Sequence, residues 1–189
     1  MLTPQKQKNH LLLPSRLRYL NNLKEMTMHD FQYQNCELTL QEGLDSYYQS
    51  FPEDTKIIQD EVGPKWLFGH DCTHVIFGLD ISMMQESILD TWSLWGTDFW
   101  KHAVNFFIAS RKNTDFNKLF KKFYREYGIT GLIKLYFSSL PFKRKARAMT
   151  RKMTKKWPYI PPQHYLNRSI RELRQEFNIK ILNQDELNN

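Results

Sequence analysis

The chain has 189 residues, 41% of them apolar and 14% aromatic, with only 7 glycines and 2 cysteines. That composition supplies the core of one packed domain and argues against a disordered chain, a glycine-rich all-β fold and a disulfide framework. The formal net charge of +7 is concentrated: residues 101–156 hold 16 Lys/Arg against 2 Asp/Glu, whereas residues 71–100 hold 5 acids and no base.

Residues 1–30 are expected to form an N-terminal helical arm, with "SRLRYLNNLKEM" a helix capped by Ser15, and residues 31–189 the domain proper. The opening "MLTPQKQKNHLLLPSRLRYL" carries only a three-leucine run, so no secretory signal is expected, and no stretch approaches the roughly 18 apolar residues of a spanning helix. "ELTLQEGLDSYYQSF" predicts a short helix with Leu40, Leu44, Tyr47 and Tyr48 on one side, capped by Thr39 with Glu42 and closed by Pro52. "EDTKIIQDEVG" reads as another short helix. "GPKWLFGHDCTHVIFG" has proline near its start and glycine at its end, which predicts a helix over 64–77. Ser82 with Gln85 marks a new start, with a helix reaching about Ser110 whose face runs through Ile88, Leu89, Trp92, Trp95, Phe99 and Val104. "DFNKLFKKFYREYG" and "ITGLIKLYFSSL" predict a helix pair broken at Gly128, Pro141 opens the basic run, "YIPP" is a turn, and "RSIRELRQEFNI" is a terminal amphipathic helix. The expected class is all-α, a single helical domain.

The chemistry sits in "HDCTHVIFGLDISMMQE". Residues four apart share a helix face, so His70 and His74 can present imidazole nitrogens to one cation. Asp71 projects about 100° round, able to bind directly or to orient a ligand. Glu86, on an unbroken helix, would sit about 120° off the His74 direction and some 18 Å away. A stop at Gly78 and a restart at Ser82 let two angled helices bring it back, giving a metal site at a helix–turn–helix corner. The plain structural reading is a hydrogen-bonded core histidine pair. Against it stands the cost of burying ionisable groups, which a metal would neutralise. Nitrogen and carboxylate donors suit zinc, iron or manganese, and Cys72 faces away as core.

The spacing H-D-x-x-H, eleven residues, then E resembles the motif of the Coq-four family of ubiquinone (coenzyme Q) biosynthesis proteins. Gly78 falls where that family tends to have glycine. "CELTLQEGLDSYYQSF", "YIPP" and "RSIRELRQEFNI" are similar to its flanking segments, so that the likeness spans roughly 36–180. It implies an all-helical protein with a divalent metal, zinc first, with iron, cobalt or manganese as alternatives, held by His70, Asp71, His74 and Glu86. The implied activity is oxidative decarboxylation of a polyprenylated hydroxybenzoate, with Glu86 and His74 in catalytic roles. Other quinone-biosynthesis proteins and a second copy of the chain are the implied partners. The implied location is cytoplasmic, peripheral on the inner face of a membrane, or the mitochondrial matrix side in a eukaryote.

"ITGLIKLYFSSLPF" beside the Lys/Arg-rich tract fits an anionic membrane surface, and Trp92, Trp95, Phe99, Phe106 and Phe107 offer either core or a groove for a prenyl tail. No nucleic-acid motif accompanies the basic tract. Two other functions compete: a non-catalytic prenyl-lipid scaffold, and a histidine-aspartate phosphohydrolase drawing on His29 and Asp115. His29-Asp30 reads more readily as an exposed helix end, and His10, His102 and His164 have no partner at ligand spacing.

Overall fold

The computed structural model describes residues 29–50, 64–104 and 114–187. Residues 1–28 of the expected 1–30 arm, the segment 51–63 with Pro52, and Phe106 and Phe107 lie outside these residues. The helices are α1 (Leu40–Gln49), α2 (Pro64–Phe77), α3 (Met83–Gly96), α4 (Thr114–Thr150, interrupted at Gly128), α5 (Ile170–Phe177) and α6 (Gln184–Leu187). Short 3-10 turns occupy Asp30–Gln32 and Gln163–Tyr165. Among the described residues there is no strand, only isolated bridges between Thr39 and Ser169 and between Thr97 and Trp157.

α1 starts as its sequence predicts. The Thr39 hydroxyl accepts from Glu42 N, and the Glu42 carboxylate accepts from Thr39 N at 2.8 Å, which satisfies two amide groups the first turn would leave open. Its buried side, Leu40, Leu44 and Tyr47, packs towards α2. α5 starts beside it. Ile170 N donates to Leu38 O and Leu40 N to Arg168 O, so the two N-termini are stitched together across 130 residues of chain.

α2 is the central helix. Cys72, Thr73, His74, Val75, Ile76 and Phe77 are all fully buried, so apolar residues occur on every side and no stripe is visible in the sequence. The helix stops in a Schellman turn. Gly78 N bonds to Val75 O, Leu79 N bonds to His74 O, and Gly78 adopts φ 68°. A Cβ at Gly78 would stand 3.1 Å from Ile181 Cδ1. Gly78→Ala is therefore expected to cost about 1–2 kcal/mol, read as a lower urea midpoint with an unchanged m-value.

The corner after Gly78 is tied by side chains. Asp80 N donates to Gln85 Oε1, Gln85 Nε2 returns a bond to Asp80 Oδ2, and Asp80 Oδ1 accepts from Ser82 N. Ser82 caps α3 by accepting from Gln85 N. The Gln85 amide does not complete the predicted capping box, because Asp80 takes the Ser82 amide instead.

α3 ends at Gly96, well before the predicted Ser110. Thr97 turns the chain: its hydroxyl donates to Ser93 O and accepts from Phe99 N, while the backbone on either side pairs with Trp157. Helix resumes only at 100–104. The predicted face is cut accordingly. Ile88, Leu89 and Trp92 are core, with Trp92 stacked on Phe77, whereas Trp95 and Val104 are exposed. Trp92 is thus packing rather than groove.

α4 breaks at Gly128 as predicted, then runs through Pro141 into the basic tract as far as Thr150. It lies along α3, with Ala146 buried, Ser139 against Ser87, and the Arg147 guanidinium over the Trp95 ring. Ile129, Ile133, Tyr136 and Phe137 stay exposed on it. The C-terminal segment is not closed by α5 alone, because the short α6 follows and Gln184 bonds back to Gln32 and to Gly78 O.

Candidate metal centre

α2 carries His70 and His74 one turn apart, with ring centroids 4.7 Å from each other. The corner turns α3 so that Glu86 meets both rings. Glu86 Oε1 is 3.4 Å from His74 Nε2, and Oε2 is 3.6 Å from His70 Nε2. One ligand atom from each of the three residues falls within 4.8 Å of the other two, a separation that could hold a metal ion.

Each imidazole has its other nitrogen engaged. His74 Nδ1 faces Leu79 O at 3.2 Å, a carbonyl that can only accept, so the proton belongs on Nδ1 and the lone pair on Nε2. That Nε2 is fully buried and has no hydrogen-bond partner. It points at a carboxylate oxygen, which is also an acceptor. Two acceptors face to face in a buried site call for a cation between them, and this is why the donor set fits a divalent ion. His70 Nδ1 lies 3.5 Å from Asp71 Oδ1, leaving its Nε2 for the shared point.

The electrostatics favour positive charge at this point, which a proton on His70 or a metal ion can supply. Burial opposes a charge on His70, but the Asp71 and Glu86 carboxylates outweigh it and push the imidazole up to about 10. Burial likewise works against ionised Glu86, yet the His74 and His70 rings hold its carboxyl well below the usual range. Burial and the Asp71 charge raise the Cys72 thiol, which stays a protonated core residue. His70 keeps 32% and Glu86 27% of its side-chain surface exposed, while His74 has none, so the centre is approached from the His70–Glu86 side.

Of the four residues expected as ligands, three converge and Asp71 does not join them. Its Oδ1 stands against His70 Nδ1 and its Oδ2 accepts from the Tyr48 hydroxyl at 3.1 Å, which occupies the carboxylate behind the ring rather than in front of it. In this position Asp71 is set to orient the His70 ring rather than to join the three converging groups. Asp71→Asn is expected to weaken zinc binding by about 10–100-fold, measured by competition with a chromophoric chelator.

His29 is elsewhere. It is half-buried at the start of the Asp30–Gln32 turn, stacked on Phe31 with Nδ1 near Ser46, so it is neither an exposed helix end nor part of the converging group. The side chain of Asp115 lies outside the described residues. His102 sits by Asp98 and Trp66, and His164 stacks edge-on against Tyr165.

Two supporting residues escaped the sequence reading. Tyr47 stacks on the His74 ring at 5.0 Å, and Tyr48 reaches Asp71. The sequence pattern puts both on one apolar side of α1, although adjacent residues diverge by about 100° and must meet different neighbours. No described helix is long and apolar enough to cross a membrane. Comparison with family models, with curated proteins and with solved structures finds no match.

Proposed function

We propose that this protein is a metal-dependent enzyme of ubiquinone biosynthesis of the Coq-four kind, acting on a polyprenylated hydroxybenzoate. In the proposed reaction the ring–carboxylate bond breaks, carbon dioxide leaves and a hydroxyl group takes its place on the ring; dioxygen is the oxidant, and one dioxygen serves two substrate molecules, an oxygen atom passing to each ring. The observation that carries the reading is the meeting of His70 Nε2, His74 Nε2 and the Glu86 carboxylate around one point, with the buried His74 nitrogen unpartnered.

His70, His74 and Glu86 would hold the ion. Bound there, a divalent metal supplies Lewis-acid polarisation of the substrate's carboxylate and phenolic oxygens. The chain supplies the rest. Leu79 O and Asp71 fix the planes of the two imidazoles, and Glu86 sets the charge balance at the mouth. Three protein ligands leave coordination positions for substrate, which suits a catalytic rather than a closed structural ion.

The approach to a lipid substrate rests on α4. Ile129, Ile133, Tyr136 and Phe137 are exposed and precede Lys143, Arg144 and Lys145, an apolar and aromatic strip beside cations that matches an anionic membrane surface.

Lipid extraction from cells lacking the gene tests the reading. Accumulation of a carboxylated prenyl-ring precursor, restored to quinone by the wild-type gene but not by Glu86→Gln, is the expected result. An unchanged quinone profile would remove the protein from the pathway.

A further inference from the structure

We infer that Tyr48 is a positioning residue of the metal centre, acting through Asp71 to fix the ring of His70. The path is continuous. The Tyr48 hydroxyl, on the last turn of α1, donates to Asp71 Oδ2 at 3.1 Å. The other oxygen of the same carboxylate stands 3.5 Å from His70 Nδ1, and the opposite nitrogen of that ring faces Glu86.

Without the hydroxyl, the Asp71 carboxylate would be free to rotate, because among the described residues Tyr48 is the donor to Oδ2 and His70 engages only Oδ1. A carboxylate held at one oxygen presents the other at a defined angle, which selects the His70 tautomer with a proton on Nδ1 and a lone pair on Nε2. Burial and the Asp71 charge keep the Tyr48 phenol above its usual range, so it remains a donor. Tyr47, the preceding residue, packs its ring on His74. The last turn of α1 therefore bears on both histidines, one by stacking and one through a carboxylate, although α1 contributes no ligand of its own.

This inference rests on His70, His74 and Glu86 being a metal centre, and the experiment separates the two. The full-length chain is titrated with zinc against a chromophoric chelator, and its cobalt complex is followed by visible absorption. Tyr48→Phe keeps the ring and removes only the donor. It is expected to weaken zinc binding about tenfold and to shift the cobalt bands, with a circular-dichroism melt of the metal-free protein close to wild type. Adding Tyr48→Phe to Asp71→Asn is expected to weaken binding no further than Asp71→Asn alone, since the hydroxyl acts only through that carboxylate. Wild-type affinity and spectrum in Tyr48→Phe, or losses that multiply in the double variant, would overturn the role of Tyr48 and leave the centre standing. Failure of the wild-type chain to bind either ion would overturn the centre, and the inference with it.

Discussion

Glu86→Gln is expected to abolish most of the rise in melting temperature that zinc gives the wild-type protein. A ligand that binds only the folded state at about 100 times its dissociation constant adds about 2.7 kcal/mol of stability. In a chain of this length that is worth roughly 5–11 °C. Glutamine keeps the shape of Glu86 and one acceptor oxygen but removes the carboxylate that faces both imidazoles. Loss of an orienting residue behind a ligand already costs 10–100-fold in affinity, so loss of a charged ligand costs at least about 100-fold. At the same zinc concentration the variant then gains only about 0.4 kcal/mol. Melting curves with zinc and with a chelator, on both proteins, give four temperatures. An equal zinc response in the two proteins would mean that the ion, if it binds, is held elsewhere. The metal-free melt adds a second discrimination. If the three side chains were simply a proton-bridged core cluster, Glu86→Gln would lower the chelator-treated melt and leave zinc without effect on either protein.

Much of this site was readable before any coordinates, and the reasons are physical. Two histidines at i and i+4 must share a face, and a glycine followed by Ser-x-x-Gln forecasts a stop and a restart. Those two facts place Glu86 near the pair, and the structure does so. The side of His70 on which Asp71 lies was not readable. A residue next to a ligand can turn its carboxylate forward or back, and the Tyr48 hydroxyl, 23 positions earlier, draws it back. The end of α3 was missed for a related reason. The apolar periodicity continues past Gly96, but Thr97 finds partners in Ser93 and around Trp157, the latter 60 residues distant. Periodicity reports which residues prefer burial; it does not report a hydroxyl that ends the helix by bonding its own backbone.

Arg174→Leu is expected to destabilise the protein by about 3–5 kcal/mol, a fall in melting temperature of roughly 10 °C. In sequence, Arg174 looks like one more charge on an amphipathic helix, yet it occupies the stripe of Ile170, Leu173 and Phe177 at helical spacing and is fully buried with them. Among the described residues no carboxylate pairs with it. Its guanidinium donates to five backbone carbonyls: Nε to Ile76 O at 2.9 Å, Nη2 to Val75 O at 3.0 Å and Phe31 O at 2.6 Å, and Nη1 to Tyr33 O at 2.5 Å and Gln34 O at 3.3 Å. Burial lowers its pKa to about 10, so it remains charged at neutral pH. Replacing a buried ion pair by apolar residues can be harmless because both charges disappear together. Here the partners are peptide carbonyls, which no side-chain substitution removes, and each one left unsatisfied costs about 1–3 kcal/mol. Relief of the guanidinium's own desolvation offsets part of that sum, which is why the expected loss lies below the arithmetic total. Val75 and Ile76 belong to the last turn of α2, where Gly78 N already bonds to Val75 O, so Arg174 reinforces the Schellman turn there and supplies the donor for Ile76 O. Arg174→Lys keeps the charge at that helix end but cannot fork to both segments, and an intermediate melt is expected. His74 lies one residue before this capped turn, on the side held by Leu79 O. Arg174→Leu is therefore expected to lower the melt with and without zinc alike, whereas Glu86→Gln changes mainly the difference between them. Val75 O and Tyr33 O would keep Gly78 N and Cys36 N as donors; if Arg174→Leu melted like wild type, Phe31 O, Gln34 O and Ile76 O would have to find water or other donors, and α2 would not depend on α5 for its last turn.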